Sequence, residues 1–203
     1  SLSEEISLEN IDDISFEENG TPLELIQTKH HSTPKNLSDT SIDLWKTIGN
    51  WIDGISEDRI KLDKTLLTLV TTSLAPPNSA AEMLRPKDSQ QRDILSALTK
   101  LKKAGSESID PTIIENFNKF DGLGSLKQKK FLEQITVIDN APDIDDVKKK
   151  IQGYLGITTG TNHLDEIFLR IEGWWIGEVI KCLRGNQNTI SKKALVIRTI
   201  SWR

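Results

Sequence analysis

The sequence predicts a mixed α/β fold, with a sheet core over residues 1–85 and a mainly helical region over residues 86–203. Three features predict it. Asn19-Gly20 sits between two alternating segments, and both residues tolerate the positive φ of a tight hairpin turn. Ile42, Trp45, Ile48 and Ile52 then recur at helical spacing. Thr65 to Thr72 is β-branched and almost continuously apolar, the pattern of a strand buried on both faces.

Taken in order, a first strand region runs from about Ile6 to Phe16 with a break near Asn10. Pro22 opens rather than interrupts the next strand. From Leu23 to His30 the alternation sets Leu23, Leu25, Gln27 and Lys29 on one face, and Glu24, Ile26, Thr28 and His30 on the other. Ser41 starts the amphipathic helix, and Asp53-Gly54 is read as its end. Ala75-Pro76-Pro77 stops the buried strand, and Ser79 to Leu84 reads as a short helix. Leu95, Leu98 and Leu101 mark another helix, with more expected around 111–120, 124–134 and 143–155. One further strand is expected near 135–139. Leu164, Ile167, Phe168, Ile171, Trp174 and Trp175 form an amphipathic stripe, and a last helix is expected near 190–200. Asp121-Gly122-Leu123-Gly124-Ser125 lacks the Gly-Lys-Ser/Thr ending of a phosphate-binding loop and reads as a turn between helices.

With 36% hydrophobic and 28% charged residues, the chain has the composition of a globular protein rather than a disordered one. A net charge of −4 argues against a broadly basic nucleic-acid surface but leaves room for a local basic groove. The single cysteine, Cys182, excludes an intrachain disulfide and a multi-cysteine zinc site, which fits a reducing cytoplasm. No apolar run approaches the ~18 residues of a membrane span, so no membrane partner is expected. The chain begins at Ser1 without Met and ends at Ser201-Trp202-Arg203, which suggests a piece of a longer protein.

The hairpin carries the candidate chemistry. A divalent metal that assists phosphodiester cleavage takes hard oxygen ligands and leaves room for water and phosphate. A lysine beside it orients the water and offsets developing charge. Asp13 on the first strand, with Gln27 and Lys29 sharing one face of the second, supplies such a set. Glu9 and Asp12 are supporting acids, whereas Glu24 falls on the opposite face from Gln27. The bland readings are a polar strand end for His30-His31, packing for Trp45, Trp51 and Trp174-Trp175, and a solvated helix face for Lys148-Lys149-Lys150.

Gln27-Thr28-Lys29 after Asp13-Ile14-Ser15-Phe16 resembles the PD-(D/E)xK nuclease superfamily in its Mrr-like form, where the last motif reads Gln-x-Lys. Glu9-Asn10-Ile11-Asp12-Asp13-Ile14, Gln27-Thr28-Lys29-His30 and Asp43-Leu44-Trp45-Lys46-Thr47 with Trp51 narrow the likeness. They resemble the double-stranded-DNA endonuclease domains of bacterial anti-phage effectors that carry a nucleotide-sensing SAVED module. Residues 66–85 and 134–175 are similar to the large subunits of ABC-ATPase-associated three-component systems. The resemblance implies a restriction-endonuclease-like core that hydrolyses double-stranded DNA with Mg²⁺ or Mn²⁺. Asp13 and Gln27 would serve as metal ligands and Lys29 as the water-orienting residue. Asp13 is preferred over Asp12 because the family's first acid is usually followed by apolar residues at one and three positions, as Ile14 and Phe16 follow it here. It also implies a cytoplasmic defence protein that forms an oligomer on activation and is held in check by an ABC-type ATPase or a nucleotide-sensing module. Members carry a helical segment before the first strand, which is absent here. The alternative is a non-catalytic assembly subunit of an ABC-ATPase-associated system, built on a degenerate nuclease fold.

Overall fold

The computed structural model describes residues 4–8, 13–31, 33, 35–142, 144–159 and 164–194. The fold is mixed α/β, and the chain forms two compact units. One unit is residues 22–141. The other is split in sequence, combining residues 1–21 with 142–203.

The continuous unit is built on three parallel strands: β3 (Thr21–Lys29, beginning one residue ahead of the unit), β4 (Leu66–Thr71) and β5 (Ile135–Ile138). β4 is the interior strand. It pairs in parallel with β3, Leu25 opposite Leu67 and Gln27 opposite Leu69, and with β5, Leu67 opposite Ile135 and Leu69 opposite Val137. Parallel neighbours need crossovers, and right-handed crossovers that step the same way along a sheet put their helices on one face. The burial agrees. Leu25, Leu67, Leu69, Ile135 and Val137 share one face and are all buried, while Leu66 and Ile138 on the other are about 41% exposed.

The first crossover is α1 (Ile42–Ser56), the helix expected from the Ile42/Trp45/Ile48/Ile52 spacing. It passes the expected stop at Asp53-Gly54 by two residues. Gly54 is buried, and a Cβ there would collide with Ile60 as the chain folds back under the helix. The glycine serves close packing, not termination.

The second crossover holds α2 (Ala80–Met83), α3 (Ile94–Ser106), α4 (Pro111–Gly122) and α5 (Ser125–Gln134). Local signals set their starts. Ser79 and Asp93 accept backbone N–H bonds at the first turns of α2 and α3, and Asp110 does so ahead of Pro111. Gly124, at φ +74°, makes the expected turn into α5.

Trp45 is fully buried where α1 meets α4, edge-on to Phe117 and Phe120 at 6.0 and 6.3 Å, and Phe120 meets Phe131 of α5. Helices approach this closely because of glycines: a Cβ on Gly49 would overlap Asn116, and one on Gly105 would overlap Phe117. Arg92 locks the crossover to the sheet. Its guanidinium donates to the carbonyls of Leu84, Arg85, Glu133 and Ile135, tying the end of α2 to the end of α5 and the start of β5.

The split unit contains β1 (Glu4–Leu8), β2 (Ile14–Glu18), α6 (Ile144–Thr159), α7 (Leu164–Leu183) and β6 (Ile190–Ser191). β1 pairs antiparallel with β2 and with β6. Asn19 (φ +54°) and Gly20 (φ +72°) both take the left-handed conformation the turn requires. The helix expected near 190–200 is corrected at its start. Ile190 and Ser191 form β6 against Ile6 and Glu5, and only 192–194 are helical before the described residues end.

This packing generates two stability predictions. Gly49→Ala adds one methyl where Asn116 already sits, so urea denaturation should show a loss of about 1–3 kcal/mol. At the C-terminal end of the sheet, Asp139 accepts two bonds from Arg85 at 2.8 Å and the Ala75 N–H at 2.9 Å. Burial alone would raise the Asp139 pKa, but these donors outweigh it and hold the carboxyl below its usual value. A depressed carboxylate stabilises fully above its unfolded pKa of about 3.9 and loses that effect as pH falls through the folded value. Asp139→Asn should therefore cost about 2 kcal/mol at pH 7. The gap to the unsubstituted chain should close below pH ~4, measured as denaturation midpoints against pH.

Candidate functional site

In parallel sheets, loops at the C-terminal strand ends gather side chains from consecutive crossovers, which makes that edge the usual place for chemistry. In the continuous unit this edge holds Lys29, His31, Asp43 and the Thr71-Thr72-Ser73 segment. β3 carries Gln27 and Lys29 to it on the helix-covered face, Lys29 in register with Thr71 of β4.

Gln27 is 4% exposed, and its Oε1 has no hydrogen-bond partner among the described residues. A buried carbonyl left without a donor costs roughly 1–3 kcal/mol, so native structures rarely keep one without a use for it. Two residues on, the Lys29 ammonium is half-buried and makes no ion pair or hydrogen bond among the described residues. Its carbonyl accepts from the Thr72 N–H at 3.3 Å, extending the ladder past the end of β4. Ser73, the next residue on the same edge, has a buried Oγ that is likewise unpartnered. Glu24 lies on the opposite face, where it accepts from Thr68 Oγ1 at 2.5 Å.

The edge also contains a pair that sequence reasoning missed. His31 Nε2 bonds Asp43 Oδ2 at 2.7 Å, with side chains 21% and 29% exposed. The His31 backbone brackets Thr72, its N–H donating to Thr72 Oγ1 at 3.0 Å and its carbonyl accepting from the same hydroxyl at 3.3 Å. Asp43 stands in the first turn of α1, where a carboxylate suits the helix dipole. The available signal was an acid one residue into a helix that comes after a strand-terminal histidine. The 12-residue gap between the two hid the pairing.

The remaining candidates lie elsewhere in the chain. Asp13 belongs to the split unit, half-buried at a bend just before β2, and Glu9 and Asp12 lie outside the described residues. Among the described residues no three His, Cys, Asp or Glu side chains form a metal-holding group. The Gln27 carbonyl oxygen is a hard neutral donor of the kind Mg²⁺ accepts. Among the described residues it shares its lack of a partner with Gln128 Oε1, which lies on α5, and it differs in standing two residues from Lys29.

Compared with protein-family models, curated proteins and solved structures, the chain matches none.

The unpartnered amide gives a direct test. Gln27→Leu keeps the volume and removes the desolvated carbonyl, so the fold should gain about 1 kcal/mol in urea denaturation. A loss of similar size would mean that Oε1 has a protein donor in solution.

Proposed function

We propose that the chain is a metal-dependent DNA endonuclease of bacterial anti-phage defence. One observation supports the reading: among the described residues a buried Gln27 carbonyl without a hydrogen-bond partner and a Lys29 ammonium without an ion pair share one face at the C-terminal end of a parallel strand. In this reading Gln27 is a ligand of Mg²⁺ or Mn²⁺ on the edge of the continuous unit, and Asp13, with Glu9 or Asp12 in support, is the acid that the sequence motif assigns to the metal. The bound cation supplies positive charge beside the scissile phosphate and favours an ionised water. Lys29 orients that water and offsets charge on the phosphate oxygens. The substrate is double-stranded DNA, and the implied partners are an ABC-type ATPase or a nucleotide-sensing module. The proposed setting is the cytoplasm. None of the described helices is long and apolar enough to cross a membrane.

The second reading is a non-catalytic assembly subunit of an ABC-ATPase-associated defence system. A net charge of −4 favours it, since a DNA-cleaving surface must gather cations against that balance.

Plasmid nicking with Mg²⁺ or Mn²⁺ separates the two. Asp13→Ala and Lys29→Ala should each lower cleavage by about 10²-fold or more, as when one transition-state partner is removed. Gln27→Glu should retain activity, since it keeps the shape and adds a ligand charge. Cleavage by Lys29→Ala at the unsubstituted rate would transfer the chain to the assembly reading.

A further inference from the structure

α7 has two apolar faces, and the split unit uses one. Phe168, Ile171, Trp175 and Cys182 lie along the inward stripe: Phe168 is buried under the Lys148 ammonium, and Trp175 lines a small cavity with Ile6, Phe16 and Ile190. About 130° around the helix runs a second line, Leu169, Gly173, Ile176, Ile180 and Leu183, spaced 4, 3, 4 and 3 residues apart. That is the spacing of a helix–helix seam. Its four large residues are 59%, 50%, 41% and 61% exposed in chain order, and a Cβ on Gly173 would meet nothing within 4 Å. A contiguous apolar line of this length is more than scattered surface hydrophobicity.

We propose that this seam is a homodimer interface in which α7 packs antiparallel against α7 of a second copy. This inference is independent of the nuclease reading. The seam's own symmetry identifies its occupant. Set antiparallel about Ile176, the line is self-complementary: Ile176 meets Ile176, Leu169 meets Leu183, and Ile180 enters the notch left by Gly173 of the other copy. Set parallel, glycine faces glycine and leaves a void, while isoleucine faces isoleucine. An interface that maps onto itself by a two-fold axis is what two identical chains form.

Charge points the same way. The first turn of α7 holds Asp165 and Glu166, and its far end holds Lys181 followed by Arg184. Antiparallel packing brings each acidic end against the basic end of the other copy and opposes the two helix dipoles. Parallel packing would set like charges together.

Sedimentation velocity of the complete chain over a dilution series tests this. Unsubstituted protein should sediment at twice the monomer mass. Ile176→Glu places a charge on the two-fold axis and should weaken association at least about a hundredfold. Gly173→Leu fills the notch and should also dissociate the dimer, although leucine favours the helix itself, so lost folding cannot mimic the result. Orientation is read by cross-linking in a Cys182→Ser background. Leu169→Cys with Leu183→Cys should form interchain disulfides on oxidation, and Leu183→Cys alone should not. A monomer at every concentration, a dimer indifferent to both Ile176→Glu and Gly173→Leu, or self-cross-linking of Leu183→Cys would each overturn the proposal.

Discussion

Everything in the continuous unit depends on β4 having a parallel neighbour on each side. Its backbone hydrogen bonds are taken up by β3 and β5, so it can be apolar along almost its whole length, with Leu67 and Leu69 fully buried. Parallel pairing forbids short connections, and the two crossovers supply the five helices that cover one face. Once the helices share that face, Trp45 has one place to go, and Gly49 and Gly105 must be small for α4 to reach it. The same constraint brings Lys29, His31, Asp43 and Ser73 to one edge, because each stands at the end of a parallel strand or at the start of the crossover that leaves it.

The sequence was readable where a local signal and the tertiary environment agreed. Asn19-Gly20 adopts the two positive φ angles its residue types permit. The run around Leu67 is an interior strand because β-branching and burial ask for the same geometry. Residues 135–138 form β5, as their β-branched character suggested. Reading failed where a distant partner decided. β6 has only two residues, too few for any periodicity, and exists because β1 offers a free side some 185 positions away. Gly54 looked like a stop because glycine usually is one, but Ile60 needs the space. The four-carbonyl grip of Arg92 left no trace in hydrophobic pattern, since an arginine in a polar loop reads as a solvated charge. Of the candidate site, the shared face of Gln27 and Lys29 could be read from alternation alone. The His31–Asp43 pair could not, because it joins a strand end to a helix start.

How this chain treats its other buried polar groups bears on what Gln27 means. Glu17 of β2 is only 7% exposed, yet it is not stranded: the hydroxyls of Ser7 and Ser15 each lie 2.6 Å from its Oε1, placed there by the pairing of Ser7 with Ser15 and Glu5 with Glu17. Asp139 receives Arg85 and a backbone N–H, and Asn116 donates to the Thr112 carbonyl. Gln128 Nε2 donates to the Phe120 carbonyl, although its Oε1, like that of Gln27, has no partner among the described residues. A fold that supplies donors to a buried carboxylate on one strand has the means to supply one to a neutral amide on the next. Leucine at position 27 would continue the row of Leu25, Leu67, Leu69 and Val137 without a desolvation penalty. Glutamine there costs stability that the surrounding side chains do not return. A ligand that takes up the Oε1 lone pairs would return it, and in the proposed reading that ligand is the metal, with the Lys29 ammonium beside it offsetting phosphate charge.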